Sequence, residues 1–432
     1  MITMNRYIIL DLLRRTSIVK SRDYYLRLMT EPELNEKARS LQKEHLISFL
    51  KRLRKNDYYG PLLQSFTDQQ VELTPYDVLR SMPIADKSFL TKNYNSIRDK
   101  RLCGEKSYTG GSTGSPFHYF SGKRMISSLS GFTLFLWSFL AGYDWDDDII
   151  VIGGTSIGDK KSIKKRTLHF LQRRRFISGG EINEENATEL AHLINNAKKP
   201  LFVYGYPSSI CQYISLLDKL QIRINTSNIK KVLTTSETLT PERKNLINSV
   251  WGKEVINLYG ARDGGISAGS MDNQTFIYNG VDCFAESIMI DGKSELILTN
   301  LDSEAFPFVR YRIGDIADAK VRDEGYPFVL TNLQGRTRDF IHIGQNKKIH
   351  GSIINKVFNN TSVVEYQIFQ HKDYSCDIYL QPLSELSEGE LSSLSLSLKQ
   401  VLGEIPFHLH IMKELKREKN NKLKNIISEL CD

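Results

Sequence analysis

Four short apolar runs, each closed by turn residues, recur between positions 148 and 260: DIIVIGG (148–154), PLFVYGY (200–206), KKVLTTSE (230–237) and EVINLYG (254–260). Helix-like segments such as NEENATELAHLINNA and SSICQYISLLDKL separate them. A strand that is apolar on both faces must be covered on both faces, and the alternation of strand and helix supplies the cover. This part of the chain is therefore expected to form a parallel sheet flanked by helices, and the fold class is α/β.

The flanking sequence differs in texture. Residues 1–100 read as a helical lead-in, because EPELNEKARSLQKEHLISFLKRLRK spaces its apolar residues three or four apart among alternating charges. Residues 275–332 form a β-rich subdomain, with the runs ESIMID, SELILTNL and FPFVRYRIGDIADAKV and few helical patterns between them. Beyond QGRTRDFI come VVEYQIFQ, CDIYLQPL, a Ser/Leu helix from about 386 to 402 and the alternating FHLHIMKEL, a small α+β unit. The expected organisation is a large N-terminal domain, 1–335, followed by a small C-terminal α+β domain, 336–432. A chain of 432 residues has room for two or three cores.

Composition removes several classes of function. No run approaches the roughly 20 apolar residues that a membrane helix needs, so no spanning segment is expected. The start, MITMNRYIILDLLRRTSIVK, is interrupted by Asp11 and has no small-residue cleavage site, so it does not read as a signal peptide and a cytoplasmic location is expected. The five cysteines, Cys103, Cys211, Cys283, Cys376 and Cys431, are scattered and lack metal-ligand spacing. The net charge of +8 comes from 58 basic and 50 acidic side chains. Much of it lies in KKSIKKRTLHFLQRRR (160–175) and KELKREKNNKLK (413–424), which are either solvated surface or contacts with something anionic: a nucleotide, an acidic sugar or a membrane face. Nucleic-acid binding is not expected, since the excess is modest and no basic-aromatic recognition module appears.

The stretch SYTGGSTGSPFHYF (107–120) combines glycines with hydroxyl side chains. Glycine lets backbone N–H groups approach an anion closely, and phosphate is the natural guest. The loop is not the kinase-type phosphate loop, because Gly114 is followed by Ser115 and Pro116 rather than by Lys and Ser/Thr. Nor is it a dinucleotide fingerprint, since Gly110, Gly111 and Gly114 are wrongly spaced. A purely structural glycine turn is the alternative.

Read with five other segments, the loop resembles that of the AMP-forming adenylating enzymes: acyl-CoA synthetases, nonribosomal-peptide adenylation domains and luciferases. The likeness leans toward the phenylacetate-CoA ligase branch and its capsular-polysaccharide relatives. YTGGSTGSP (108–116) is similar to the family's Ser/Thr/Gly loop, TTSETL (234–239) to the segment bordering adenine, and NLYGARDGG (257–265) to its Tyr-Gly-x-Thr/Ser-Glu element. VRYRIGDIA (309–317) resembles the Arg-Tyr-x-x-Gly-Asp element, GRTRDFI (335–341) the hinge, and REKNNKLKNI (417–426) the C-terminal Gly-Lys element. The six follow the family's order.

The resemblance implies a role for each residue. Thr109, Gly110, Gly111, Ser112, Thr113 and Gly114 would wrap the ATP phosphates; Glu237 sits at the acidic position beside adenine; Tyr259, followed by Gly260, would stack on the base; Asp315 would accept the ribose hydroxyls; Asp263 would hold Mg²⁺. Arg336, with Arg338 and Asp339, would form the hinge and reach ribose or phosphate, and Lys422 would bridge the carboxylate and the α-phosphate during adenylation only. Arg310 is expected to be structural. Gly153, Gly154, Tyr204 and Tyr206, at adjacent strand ends, are candidates for the acyl pocket, with the aromatic FTLFLWSFL (132–140) mostly core helix. The chain departs from the pattern at Asp263 (usually Glu), Arg262 (usually Thr or Ser), Asn421 (usually Gly) and Phe117 (often basic). The implied activity is ATP-dependent adenylation of a carboxylic acid, then transfer to coenzyme A or to an amine or sugar acceptor. The alternative is a nucleotide-binding or scaffold protein of the same fold that has lost catalysis.

Overall fold

The computed structural model describes residues 6–108, 117–153, 169–179, 182–290, 292–336, 340–344, 347–350, 354, 357–358, 361–382, 385–417 and 423–430. It divides into two compact units: Met1–Trp145 with Leu258–Leu333, and Asp146–Asn257 with Gln334–Asp432.

The first unit opens with helices. Ala38–Leu53 buries Ala38, Gln42, Leu46, Phe49, Leu50 and Leu53, the stripe that its three- and four-residue spacing dictates. A short hairpin follows, β1 (Glu105–Tyr108) paired with β2 (His118–Ser121). The helix Lys123–Ala141 is long and apolar enough to cross a membrane by length and composition, but half of it is buried inside the protein. It packs on Ile18–Thr30, with Tyr25 edge-on to Phe132 at 4.6 Å. Gly131 permits the close approach: a Cβ there would collide with Ser21.

The second unit begins with four parallel strands: β3 (Ile149–Gly153), β4 (Arg174–Ser178), β5 (Leu201–Gly205) and β6 (Ile229–Thr235), in the order β4-β3-β5-β6. Ile150, Ile152, Val203 and Val232 are fully or almost fully buried, and each such side chain contributes about 1.5–3 kcal/mol. The helices Glu184–Asn195, Pro207–Lys219 and Pro241–Trp251 supply the matching faces. Their starts carry the expected chemistry: Asn183 accepts from Asn186 N, Thr240 accepts from Arg243 N, and proline opens the last two.

Strand β7 (Val255–Ala261) runs from the second unit into the first. There the chain turns antiparallel: β8 (Ile266–Ser270), β9 (Phe276–Tyr278), β10 (Cys283–Ile290), β11 (Lys293–Asn300), β12 (Tyr311–Val321) and β13 (Phe328–Arg336), ordered β10-β11-β12-β13-β9-β8. Phe306 and Phe308, just before β12, seat against Phe117 and Tyr119 at 5.5 and 5.0 Å in the core of this unit.

The rest of the second unit contains the hairpin β14 (Phe340–Gly344) and β15 (Lys347–His350), then β16 (Val363–Gln370), β17 (Cys376–Pro382), β18 (Phe407–Ile411) and β19 (Ile426–Ser428) in the order β18-β17-β16-β19. The helix Glu388–Leu402 starts at a capping box, Ser387 with Glu390, and buries Leu394, Leu398 and Leu402. The molecule is thus α/β, with a parallel sheet flanked by helices, a β-rich part and a C-terminal α+β part.

Candidate active site

In the first unit the site is built on an irregular strand. Glu295 faces Ile316 and Ile297 faces Arg312, so β11 places one residue between the two pairs while β12 places three, Ile313, Gly314 and Asp315. Such a bulge takes residues out of the ladder and re-aims them. Gly314 has φ +81°, a conformation that glycine adopts without strain. Asp315 is thereby presented beside β7, where its Oδ2 accepts a 2.6 Å hydrogen bond from the Tyr259 hydroxyl. Asp315 is buried, Tyr259 half-buried, and Gly260 exposed.

The turn from β7 to β8 carries Arg262 and Asp263. Asp263 is half-buried, and its Oδ2 accepts from the Tyr311 hydroxyl at 3.2 Å. The two glycines after it are required by space: a Cβ on Gly264 would strike Leu298, and one on Gly265, at φ +70°, would strike Asn300. Arg262 is exposed. Tyr119, on β2, is fully buried; burial and the charge of Asp263 push its hydroxyl pKa well up, although Arg262, Ser121 and Ser107 pull the other way. The hydroxyl stays protonated throughout the physiological range.

Arg310 is structural here. Its guanidinium donates to both carboxylate oxygens of Glu286, at 3.1 and 3.3 Å, and to the backbone carbonyls of Arg80 and Met82, at 2.5 and 2.9 Å.

In the second unit the candidates fall at the C-terminal ends of parallel strands. Gly153 ends β3, Tyr204 lies near the end of β5 and is half-buried, and Tyr206 is fully buried immediately before Pro207–Lys219. Glu237 follows β6; its side chain is buried and its Oε2 accepts from Ser208 N at 3.2 Å. Thr109, Gly110, Gly111, Ser112, Thr113, Gly114, Gly154 and Lys422 lie outside the described residues, as does the side chain of Arg336.

Two charged clusters were not anticipated from the sequence. In the first unit, His45 Nδ1 lies 3.5 Å from Asp282 and Nε2 lies 3.1 Å from Asp302, with Arg124 also paired to Asp302. Among the described residues this is the group of carboxylate and imidazole ligands close enough to hold a metal ion, but Arg124 already supplies a cation to it. Burial would lower the His45 pKa; hydrogen bonds and charge from Asp282 and Asp302 outweigh that and hold it up at about 9. In the second unit Glu237 belongs to a buried set with Arg243, Glu365 and Arg417. Burial alone would drive Arg243 toward neutrality, yet Glu365 and Glu237 hold it more firmly charged than an exposed arginine. Apart from Glu237 and Arg243, the partners in these sets stand tens to hundreds of positions apart, so no local pattern announces the clusters.

No protein-family model matches the sequence. The chain is 29% identical over 159 residues to the indoleacetate–lysine synthetase of Pseudomonas savastanoi, a match covering 34% of this chain and 37% of that enzyme, little more than a third of its length. In three dimensions it is similar to a 2-hydroxyisobutyryl-CoA ligase captured in the postadenylation state with an acyl-AMP, at a TM-score of 0.70 and 14% identity over 94% of this chain and 92% of that one. It is also similar to the anthranilate CoA ligase AuaEII in complex with anthranoyl-AMP, at a TM-score of 0.52 and 15% identity over 74% and 65%.

Proposed function

We propose, for a chain that has the fold of the AMP-forming adenylating enzymes, a two-step ligase reaction. In the first step a carboxylate oxygen of the substrate acid attacks the α-phosphorus of ATP; the bond from that phosphorus to the bridging oxygen breaks and pyrophosphate leaves. In the second, the sulfur of coenzyme A or the nitrogen of an amine attacks the acyl carbon, loses its proton, and AMP departs with the oxygen it gained. The observation that carries this reading is the Tyr259–Asp315 hydrogen bond. It joins two of the family-like elements beside the turn that bears Asp263.

In this reading Tyr259 stacks on adenine beside the exposed Gly260, and Asp315, its orientation fixed by the tyrosine, accepts from ribose. Thr109, Gly110, Gly111, Ser112, Thr113 and Gly114 wrap the phosphates, Glu237 borders adenine, and Tyr204, Tyr206, Gly153 and Gly154 line the acyl pocket. Asp263 is the carboxylate for Mg²⁺: a hard, half-buried oxygen donor steadied by Tyr311 fits that ion. When bound, Mg²⁺ offsets negative charge on the phosphates. Lys422 serves adenylation, Arg336 the hinge, and residues 336–432 the mobile small domain. The ATP requirement suits a cytoplasmic enzyme. The acceptor is coenzyme A, an amine or a sugar of a surface polysaccharide, the last resting on sequence resemblance to the phenylacetate-CoA ligase branch.

The test is exchange of labelled pyrophosphate into ATP with a panel of phenylacetate, indole-3-acetate, anthranilate and 2-hydroxyisobutyrate, followed by mass spectrometry of products with coenzyme A or lysine. Acid-dependent exchange supports the reading. ATP binding with no exchange for any acid favours a chain that has kept the fold and lost the chemistry.

A further inference from the structure

The buried charge cluster of the second unit is drawn from four places: Glu237 after β6, Arg243 in Pro241–Trp251, Glu365 on β16 and Arg417 beyond β18. Their side chains keep 6%, 5%, 0% and 6% of their surface. Arg417 Nη2 donates to both oxygens of Glu365 at 3.0 Å, and Nη1 donates to Ser208 Oγ at 3.0 Å while lying 4.0 Å from Glu237 Oε1. Gln212 Nε2 donates to the same Glu365 at 2.7 Å, and Arg243 Nη2 lies 3.6 Å from it. Two cations and two anions cancel, which is the condition under which such groups can be buried.

The cluster is a seam. Ser208, Gln212, Glu237 and Arg243 belong to residues 146–257, whereas Glu365 and Arg417 belong to residues 334–432. Apolar packing would bind these two segments at least as well, because a buried ion cluster gives little net stability. A charged seam differs in two respects: it accepts only one register, and each half regains hydration when parted. Among the described residues, Glu237 Oε1 and Arg243 Nε are buried without a hydrogen-bond partner. Arg417 stands five positions before Lys422 in the sequence.

We infer that Arg417 is a positioning residue for the adenylation half-reaction: by engaging Glu365 and Ser208 it fixes β16 against the strand end that carries Glu237. The inference rests on the function proposed above, with the seam as the contact that one half-reaction makes and the other releases. The docking itself can be tested without that premise.

Arg417→Gln and Arg417→Lys are compared with the wild type by three measurements. These are hydrogen–deuterium exchange of peptides covering 207–213 and 363–370, pyrophosphate exchange with the best acid of the panel, and acyl transfer to coenzyme A from the chemically prepared adenylate of that acid. Arg417→Gln should lose protection in both peptides and lower pyrophosphate exchange at least tenfold while transfer stays within twofold. Arg417→Lys, which keeps the charge, should fall between. Equal losses in both half-reactions, or an unchanged half-reaction ratio, overturns the positioning role. If no acid supports exchange in the wild type, the proposed function fails and the positioning role with it, while unchanged protection in Arg417→Gln separately overturns the seam. Should Arg417→Gln not fold, Arg417→Lys decides: protection below that of the wild type in both peptides supports the seam, and unchanged protection overturns it.

Discussion

Replacing Asp315 by asparagine changes one oxygen to an amide nitrogen and removes a charge without altering volume. In the wild type Oδ2 accepts from Tyr259 at 2.6 Å, a short bond of the kind that charged acceptors make. If the carboxylate also accepts from ribose, the asparagine can satisfy only one side with its remaining oxygen, and its amide must face a hydroxyl it cannot accept from. At least one hydrogen bond to a charged group is lost, which is about 1.5–3 kcal/mol. At 1.36 kcal/mol per tenfold, ATP affinity should fall roughly 10- to 150-fold. Isothermal calorimetry with ATP reads this directly and needs no knowledge of the acid. Tyr259→Phe should weaken binding less, because the ring remains, and the double variant should lose less than the sum of the two, since they share one bond. If Asp315→Asn melts like the wild type and binds ATP within twofold, Asp315 does not touch the nucleotide.

Three further outcomes follow from other parts of the molecule. Arg310→Leu removes both hydrogen bonds to Glu286, whose side chain is 9% exposed and keeps Arg80 at 3.9 Å, so urea unfolding should show a loss of about 1.5–3 kcal/mol; a loss under 1 kcal/mol would show that the arginine is not structural. Because the His45 pKa is raised from 6.5 to about 9, its stabilisation is fully present below the unfolded value and fades as pH climbs through 9. The unfolding free energy should drop by something on the order of 3 kcal/mol between pH 6 and pH 10, and a His45→Gln variant that keeps the same slope would count against the assignment. Lys422→Ala should abolish pyrophosphate exchange yet spare transfer from a preformed adenylate; equal loss in both steps would show the lysine misassigned.

What could be read from the sequence follows burial. The runs at β3, β5 and β6 were legible because those strands are covered on both faces and thus almost uninterrupted in their apolar character. Strand β4 was not: Arg174–Ser178 is the edge of its sheet, only Ile177 is buried, and its arginines merge with the basic stretch before it. The β1–β2 hairpin, four residues a side around the glycine loop, was too short to show an alternation. Within the candidate site, Tyr259, Asp263 and Asp315 were named through the resemblance of NLYGARDGG and VRYRIGDIA to the family's elements, and each stands close to a glycine. Gly314 proved to be the bulge that presents Asp315. Arg243, Glu365 and Arg417 were invisible, because a charge buried against a partner up to 209 positions away looks in sequence like any solvated surface charge.

The most direct measurement follows an atom. With the substrate acid labelled by ¹⁸O in its carboxylate, the AMP released after acyl transfer is weighed by mass spectrometry. Attack of the carboxylate on the α-phosphorus predicts one ¹⁸O in AMP and none in pyrophosphate. Label appearing in inorganic phosphate with ADP as co-product, or AMP released without label, contradicts an acyl-adenylate and the function built on it.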